Sequence, residues 1–328
     1  MTTAKGKAKS KPKVLITPKS FANYKDTIYP IIEAQGYEII ENRLGRTMTE
    51  EEIIGIASLG VVGIIIGIDP LPANVLERCV DLRAISKYGM GMDNIDLDKA
   101  RELNIEVRNA AGTNNVSVAE HAIGLLFAAA RRISQNVADV KRGNWQRVMG
   151  IELTGKTIGL VGGGQIGREV ALRAKGIGMQ VMLYDPFLRD EAYLTDNGIR
   201  RAEQLETLLE QSDVVSLHLP YTADTKHLIN ERTISRMKRS ALLINTSRGE
   251  LVNEDALYEA LASNRIAVAA QDVFSVEPPE AGNKLLGLDN FLLTSHTGAF
   301  TKEAVERMAT VSTRNLLEML AGANEGSN

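Results

Sequence analysis

Short β-branched runs alternate with longer amphipathic stretches along almost the whole of the 328-residue chain, and this alternation constrains the fold more than any other feature. Val14-Leu15-Ile16 precedes a helical pattern from Tyr24 to Gln35. Val61 to Ile66 is a continuous apolar run of buried-strand type, and Leu71 to Val80 after it has helical spacing. Leu82 to Ser86 and Ile105 to Val107 are further strands, with a helix over Leu97 to Leu103 between them. Such a rhythm predicts a parallel sheet with helices on both faces, because each crossover must return over the sheet before the next parallel strand begins. After Gly155 the rhythm restarts. Strands are expected at Thr157 to Val161, Gln180 to Tyr184, Val214 to Leu217, Ala241 to Asn245, Ala267 to Gln271 and Phe291 to Thr294. Helices fit at Ile166 to Ile177, Glu254 to Ala262 and Lys302 to Leu320. The sequence therefore reads as two α/β units in series, and its length is ample for two separate cores.

A different segment joins them. Asn115 to Lys141 contains no proline and only Gly124, and Ala119, Ile123, Leu126, Phe127 and Ala130 recur at helical spacing. Ser117 to Glu120 has the S-x-x-E spacing of a capping box. One long helix is expected here, apolar enough to be buried between domains or subunits.

Gly162-Gly163-Gly164-Gln165-Ile166-Gly167 matches G-x-G-x-x-G. That pattern alone is weak, but here it follows a strand, opens a helix and has Asp185 at the end of the next strand, which makes it specific for a dinucleotide. Gly162 permits the tight turn, Gly164 lets the backbone approach a pyrophosphate, and Gly167 lets helix and strand pack closely. Free N–H groups at the helix start suit phosphate oxygens. The Asp185 carboxylate can accept hydrogen bonds from ribose hydroxyls and repels a 2′-phosphate, which favours NAD over NADP; Arg189, four residues on, is the one counter-signal.

Three chemically active side chains follow later strands: Arg248 in Asn245-Thr246-Ser247-Arg248-Gly249, Glu277 before Pro278-Pro279, and His296 in Ser295-His296-Thr297-Gly298. Ligands of open α/β sheets bind beyond the carboxyl ends of the strands, so all three are placed to share a crevice. Oxidising a 2-hydroxy acid at C2 requires a base for the hydroxyl proton, and histidine titrates near working pH. A neighbouring carboxylate fixes its tautomer and favours the imidazolium. An arginine binds the substrate carboxylate and polarises the carbonyl. Singly, each residue has a bland reading as packing or a surface ion pair; behind a dinucleotide motif they read together as a catalytic set.

Composition excludes other classes. A net charge of -3 gives no field for nucleic acid or an anionic membrane. The exception is Lys5, Lys7, Lys9, Lys11 and Lys13, a stretch expected to be a solvated, disordered tail over residues 1–12. Cys79 is the only cysteine, which fits a reducing, cytoplasmic setting. The longest apolar run, Leu59 to Ile68, is too short to span a bilayer. The four histidines are scattered, so no metal site is expected. Among the remaining residues, His121 and Trp145 are read as packing residues, His218 as lining the cofactor side, and Cys79 as a buried inert thiol.

These motifs resemble the D-isomer-specific 2-hydroxyacid dehydrogenases, in particular the phosphoglycerate dehydrogenase-like branch. The resemblance runs over nearly the whole chain after the lysines, through Gly89 to Asp96, Gly112 to Glu120, the glycine loop, Asn245 to Gly249, Asp272 to Pro278 and the His296 loop. It implies a flavodoxin-like substrate domain from residues 13–112 and 299–328, with a Rossmann NAD-binding domain, 113–298, inserted. It implies Arg248, Glu277 and His296 as the catalytic trio and the backbone of Met90 and Gly91 as a substrate-carboxylate loop. Beyond the glycine loop with Gln165 and Ile166, it implies cofactor contacts at Pro220, Thr246, Ser247, Arg248, Asp272, His296 and Gly298. A homodimer through the helix from Asn115 and closure by hinge motion are also implied.

Departures are present as well. Gly67-Ile68-Asp69-Pro70 stands where phosphoglycerate-specific members carry an arginine-serine pair, and an aspartate there is expected to repel a phosphate unless Lys19 or Lys87 supplies charge. Ser295 replaces the usual proline before the histidine, and Phe300 is expected to narrow the pocket or give it an apolar wall. The family also contains NAD(H)-sensing, corepressor-like scaffolds that keep the trio, and this is the competing reading.

Overall fold

The computed structural model describes residues 11–325, and most of the lysine-rich tail lies outside them. Two compact units form, Met1–Asn114 with Lys302–Asn328, and Asn115–Thr301. The divisions fall two or three residues beyond the expected 112/113 and 298/299.

In the first unit five parallel strands, β1 (Lys13–Ile16), β2 (Glu38–Glu41), β3 (Val61–Ile66), β4 (Ala84–Lys87) and β5 (Glu106–Asn109), lie in the order β2-β1-β3-β4-β5. This is the flavodoxin-like order. β3 is buried along its whole length, as its unbroken apolar sequence requires for a central strand with both faces covered. Full burial of each of its isoleucines contributes about 2 kcal/mol. One face packs against Met48, Ile53, Val75 and Leu76. The C-terminal helix Lys302–Glu325 covers the other with Ala309, Leu316, Met319 and Leu320. Gly63 lets it close in: a methyl group there would sit 3.0 Å from Leu316 and Leu320. Arg307 Nε donates to the Thr113 carbonyl (2.8 Å) and Asn315 Nδ2 to that of Asn109 (3.0 Å).

Asp69 does not act as expected. It is buried and accepts from the Met48 N–H (2.7 Å) and the Thr17 hydroxyl. Lys87 is buried too and donates to Asn94 Oδ1 (2.8 Å) and the Gly67 carbonyl. Both side chains tie together the loops after β1, β2, β3 and β4 and are buried. Phe300, by contrast, is 65% exposed.

In the second unit seven parallel strands, β6 (Thr157–Val161), β7 (Gln180–Tyr184), β8 (Arg200–Arg201), β9 (Val214–Leu217), β10 (Leu242–Asn245), β11 (Val268–Gln271) and β12 (Phe291–Leu293), run in the order β12-β11-β10-β9-β6-β7-β8. The order reverses between β6 and β9, the switch point of a Rossmann sheet.

The expected single helix over Asn115 to Lys141 is two helices, Asn115–Ala130 and Ile133–Lys141. They part at Arg132, which takes the left-handed conformation (φ 52°) without glycine or proline nearby. Ser117 is not a cap, because the helix already begins at Asn115; its hydroxyl meets that of Thr301 (2.7 Å). Much of the first helix is buried within its own unit, through Val118, Ala119, Ala122, Leu125, Leu126 and Ala129. Trp145, read as a packing residue, is 87% exposed among the described residues.

Candidate active site

The glycine loop turns at the end of β6. Gly162 has φ 104°, and a β-carbon there would collide with the His218 carbonyl after β9; one at Gly167 would collide with the Gly162 carbonyl. The close approach of β6, β9 and the following helix therefore demands glycine at both positions. A β-carbon on Gly164 would meet nothing within 4 Å. Gly164 is the N-cap of the helix Gln165–Gly176 and offers no side-chain cap, so the first-turn N–H groups remain available for an anion. Asp185, just past β7, accepts from the Gly163 N–H (2.8 Å) and the Phe187 N–H (2.9 Å), which aims its carboxylate from the loop. Arg168, in the first turn, pairs with Asp190 (2.8 Å) and lies over Tyr193, while Arg189 is exposed. A dinucleotide fits these residues.

The loops after β9, β10, β11 and β12 carry the remaining groups. Pro220 is exposed after β9, and its carbonyl accepts from the Thr225 hydroxyl (2.9 Å). Ser247 bridges two loops, its hydroxyl donating to the Leu217 carbonyl (2.8 Å) and its N–H bonded to Asn245 Oδ1 (3.0 Å). The Thr246 hydroxyl is buried without a protein partner, an orphan donor in the loop where a cofactor contact is expected. Asn245 Nδ2 holds the Arg248 carbonyl (2.8 Å), and Arg248 Nη1 donates to the Ser247 carbonyl (2.7 Å). Gly249 sits so close to the Phe274–Ser275 backbone that a β-carbon would overlap it. This contact brings the Arg248 loop against the loop that carries Glu277.

His296 Nδ1 lies 2.7 Å from Glu277 Oε2. Burial pushes the Glu277 carboxyl upward, but the His296 bond and charge and the Phe274 N–H outweigh it and hold the group below its ordinary range. A carboxylate only accepts, so Nδ1 carries the proton and Nε2 is left to exchange one with a ligand. The imidazole side chain is 42% exposed, so its outer edge is open to a ligand. His296 has φ 52°, a left-handed backbone for a residue with a β-carbon, held by the bond from its N–H to the Asp272 carbonyl (2.8 Å).

Asp272 is the buried anchor of this corner. Its Oδ1 accepts from the Thr294 hydroxyl (2.5 Å) and the Thr297 N–H (2.9 Å), and Oδ2 from the Gly298 N–H (2.8 Å). Burial raises its pKa, and these donors with His121 more than reverse that, to about 2. His121 was read as packing; instead Nε2 is 3.2 Å from Asp272 Oδ1 and 3.0 Å from Thr294 Oγ1. Glu254 was not singled out, yet its carboxylate takes the Ser275 N–H and Asn283 Nδ2, both at 2.9 Å, pinning the Glu277 loop. Its position at the start of a helix was the only available signal.

His218 is buried beneath the glycine loop, Nε2 against the Ser216 hydroxyl (2.9 Å) and Nδ1 unpartnered, and burial pulls its pKa down to about 4. Cys79 is buried, with its thiol pushed up to about 11 by burial, as an inert thiol should be. Met90 and Gly91 lie in the first unit, where the Met90 carbonyl accepts from Asn109 Nδ2 (2.8 Å). Among the described residues no group of His, Cys, Asp or Glu could hold a metal ion, and no helix is long and apolar enough to cross a membrane.

Comparison with known proteins gives one family. The profile of the D-isomer specific 2-hydroxyacid dehydrogenase, NAD binding domain matches residues 123–298. A D-3-phosphoglycerate dehydrogenase of Methanocaldococcus jannaschii is 39% identical over 87% of this chain, which spans only 54% of that protein's length. A hydroxypyruvate reductase of Thermotoga maritima is 44% identical over 72% of this chain and 77% of its own. The crystal structure of D-lactate dehydrogenase from Aquifex aeolicus complexed with NAD and lactic acid superposes with a TM-score of 0.81 at 29% identity, covering 95% of this chain and 96% of that one. The glycine cradle, the aspartate after β7 and the paired His296 and Glu277 accord with those matches: the chain belongs to the D-isomer specific 2-hydroxyacid dehydrogenase family, and its second unit is the NAD binding domain of that family.

Proposed function

We propose that this chain interconverts a small 2-keto acid and the corresponding D-2-hydroxy acid, with His296 as the acid/base. The observation that carries this is the 2.7 Å bond between His296 Nδ1 and Glu277 Oε2, in loops that leave the carboxyl ends of strands of the same parallel sheet as the glycine loop. NAD, when bound, supplies the hydride acceptor or donor. Arg248 binds the carboxylate and polarises the C2 oxygen. His296 takes the hydroxyl proton in oxidation and returns it in reduction, and Glu277 stabilises the imidazolium. Gly162, Gly164, Gln165, Ile166 and Gly167 cradle the pyrophosphate, Asp185 takes the ribose, and Pro220, Thr246, Ser247, Asp272 and Gly298 line the rest.

Glyoxylate or hydroxypyruvate head the substrate order, then other 2-keto acids, then 3-phosphoglycerate. The Thermotoga maritima reductase supports that order. So does the inward turn of Lys87, whose ammonium is spent on Asn94 and the Gly67 carbonyl and not on a phosphate. The relatives described above carry the names of dehydrogenases and reductases and lend the scaffold reading no support. We also infer a cytoplasmic homodimer. Ile133, Val137, Val140, Trp145 and Met149 are 47%, 46%, 40%, 87% and 91% exposed within 17 residues, an apolar stretch a second copy would cover.

The deciding experiment is NADH oxidation against a panel of 2-keto acids, with NADPH alongside. Fast turnover of one small acid with NADH is expected; tight NADH binding without turnover of any acid would overturn the reading.

A further inference from the structure

Asp272 binds unevenly through its two oxygens. Oδ1 receives the Thr294 hydroxyl, the Thr297 N–H and Nε2 of His121, while Oδ2 receives only the Gly298 N–H among the described residues. The carboxylate is ionised and can only accept, and the Thr294 hydroxyl spends its proton on Oδ1. The group facing both must therefore be a donor, so Nε2 of His121 carries a proton. With Oδ1 saturated, Oδ2 is the oxygen with a lone pair left for a ligand donor.

His121 lies on the helix Asn115–Ala130, and the same helix reaches the other end of the site. Asn115 Nδ2 donates to Gln165 Oε1 (2.7 Å) at the glycine loop, and Glu120 pairs with Arg173 (3.2 Å) on the following helix. One rigid element is thus bonded both to the phosphate cradle and to the aspartate that supports His296 through its own carbonyl and Gly298 through its carboxylate.

We propose that His121 is a positioning residue: its Nε2–H on Asp272 Oδ1 sets which carboxylate oxygen faces the bound cofactor and locks the 296–298 turn that presents the acid/base. This rests on the proposed dehydrogenase reading, but two of its tests do not need turnover.

Three variants separate the role from simple packing. His121→Gln keeps a donor near the Nε2 position. His121→Asn keeps polarity but stops short of it, and His121→Ala removes both. The first readout is hydrogen exchange of the 294–301 segment in the protein without ligand, and the second is NADH affinity by fluorescence. His121→Asn and His121→Ala should exchange that segment at least about tenfold faster and bind NADH several-fold more weakly, with His121→Gln close to wild type. Where a 2-keto acid is turned over, kcat should fall about 10- to 100-fold in the Asn and Ala variants, with KM for the acid changed far less. Wild-type exchange and NADH affinity in His121→Asn would overturn the proposal, and so would a His121→Gln variant as impaired as His121→Ala. If His121→Ala does not fold, the Gln and Asn pair decides alone. A wild-type protein that turns over no acid would sink the dehydrogenase reading and leave the exchange and affinity results to judge His121.

Discussion

Glu277 Oε2 and His296 Nδ1 are 2.7 Å apart, and the carboxylate lies below its ordinary range partly because the imidazole is there. Glu277→Gln removes the charge and keeps the shape. On the proposed mechanism, kcat/KM for reduction should fall about 10- to 100-fold, because the imidazole loses the carboxylate that fixes its tautomer and orientation. His296→Ala should abolish most turnover while NADH affinity changes little. Turnover of wild type and Glu277→Gln side by side, and fluorescence titration of His296→Ala, check both.

Asp185 takes two backbone N–H bonds and is held at the rim of the glycine loop. Asp185→Ser should weaken NADH about tenfold, near 1.4 kcal/mol, and narrow the preference over NADPH. Titration with each cofactor reads this directly, and an unchanged NADH/NADPH ratio would count against the assigned ribose contact.

Gly249 has no room for a β-carbon against the Phe274–Ser275 backbone. Gly249→Ala should push the Arg248 and Glu277 loops apart, costing about 1–3 kcal/mol of stability by overpacking. kcat should fall further than the melting temperature alone would suggest. Thermal unfolding and turnover on the same preparation separate the two effects.

His218 is buried, and its pKa falls to about 4, below the ordinary 6.5. A histidine whose folded pKa is depressed protonates first in the unfolded chain, so stability drops as pH falls from 6.5 to about 4. The drop amounts to about 3 kcal/mol and is complete below the lower value. Denaturant unfolding at pH 7 and pH 4.5 should show it, with His218→Asn losing much less over that interval. Asp272 adds a later loss of about 2 kcal/mol as pH falls from its ordinary value toward about 2.

Trp145 and Met149 are the most exposed apolar side chains between the two helices of the linker region and β6. Trp145→Ser with Met149→Ser should shift the protein from dimer toward monomer in sedimentation at micromolar concentration and leave the folded unit intact.

What the sequence disclosed follows the range over which each feature is encoded. β3 is a run of apolar, mostly β-branched residues, and the glycine loop has its strand, helix and acidic partner within the 29 residues from Thr157 to Asp185, so both were legible. β2, with glutamates at both ends, and the two-residue β8 lacked such a pattern and were not read. The helix Glu50–Ala57 was missed although Thr49 and Glu52 form a true capping box, whereas the S-x-x-E at Ser117 is none. Local spacing alone does not say where a helix begins. Bonds across long stretches of chain were invisible: Thr17 to Asp69 is 52 residues apart, and His121 to Thr294 is 173. The partners of Asp69 and His121 were accordingly out of reach, because they are set by the sheet order and not by their sequence neighbours.

His296 occupies left-handed backbone space that an L-residue enters at a cost of about 1–2 kcal/mol. Selection for thermal tolerance alone would favour glycine at this position, and such a chain would keep its fold and lose the imidazole proposed here as the acid/base. On the proposed mechanism, stability and turnover are therefore opposed at a single backbone angle. A library screened only for heat resistance should drift toward inactive variants here first.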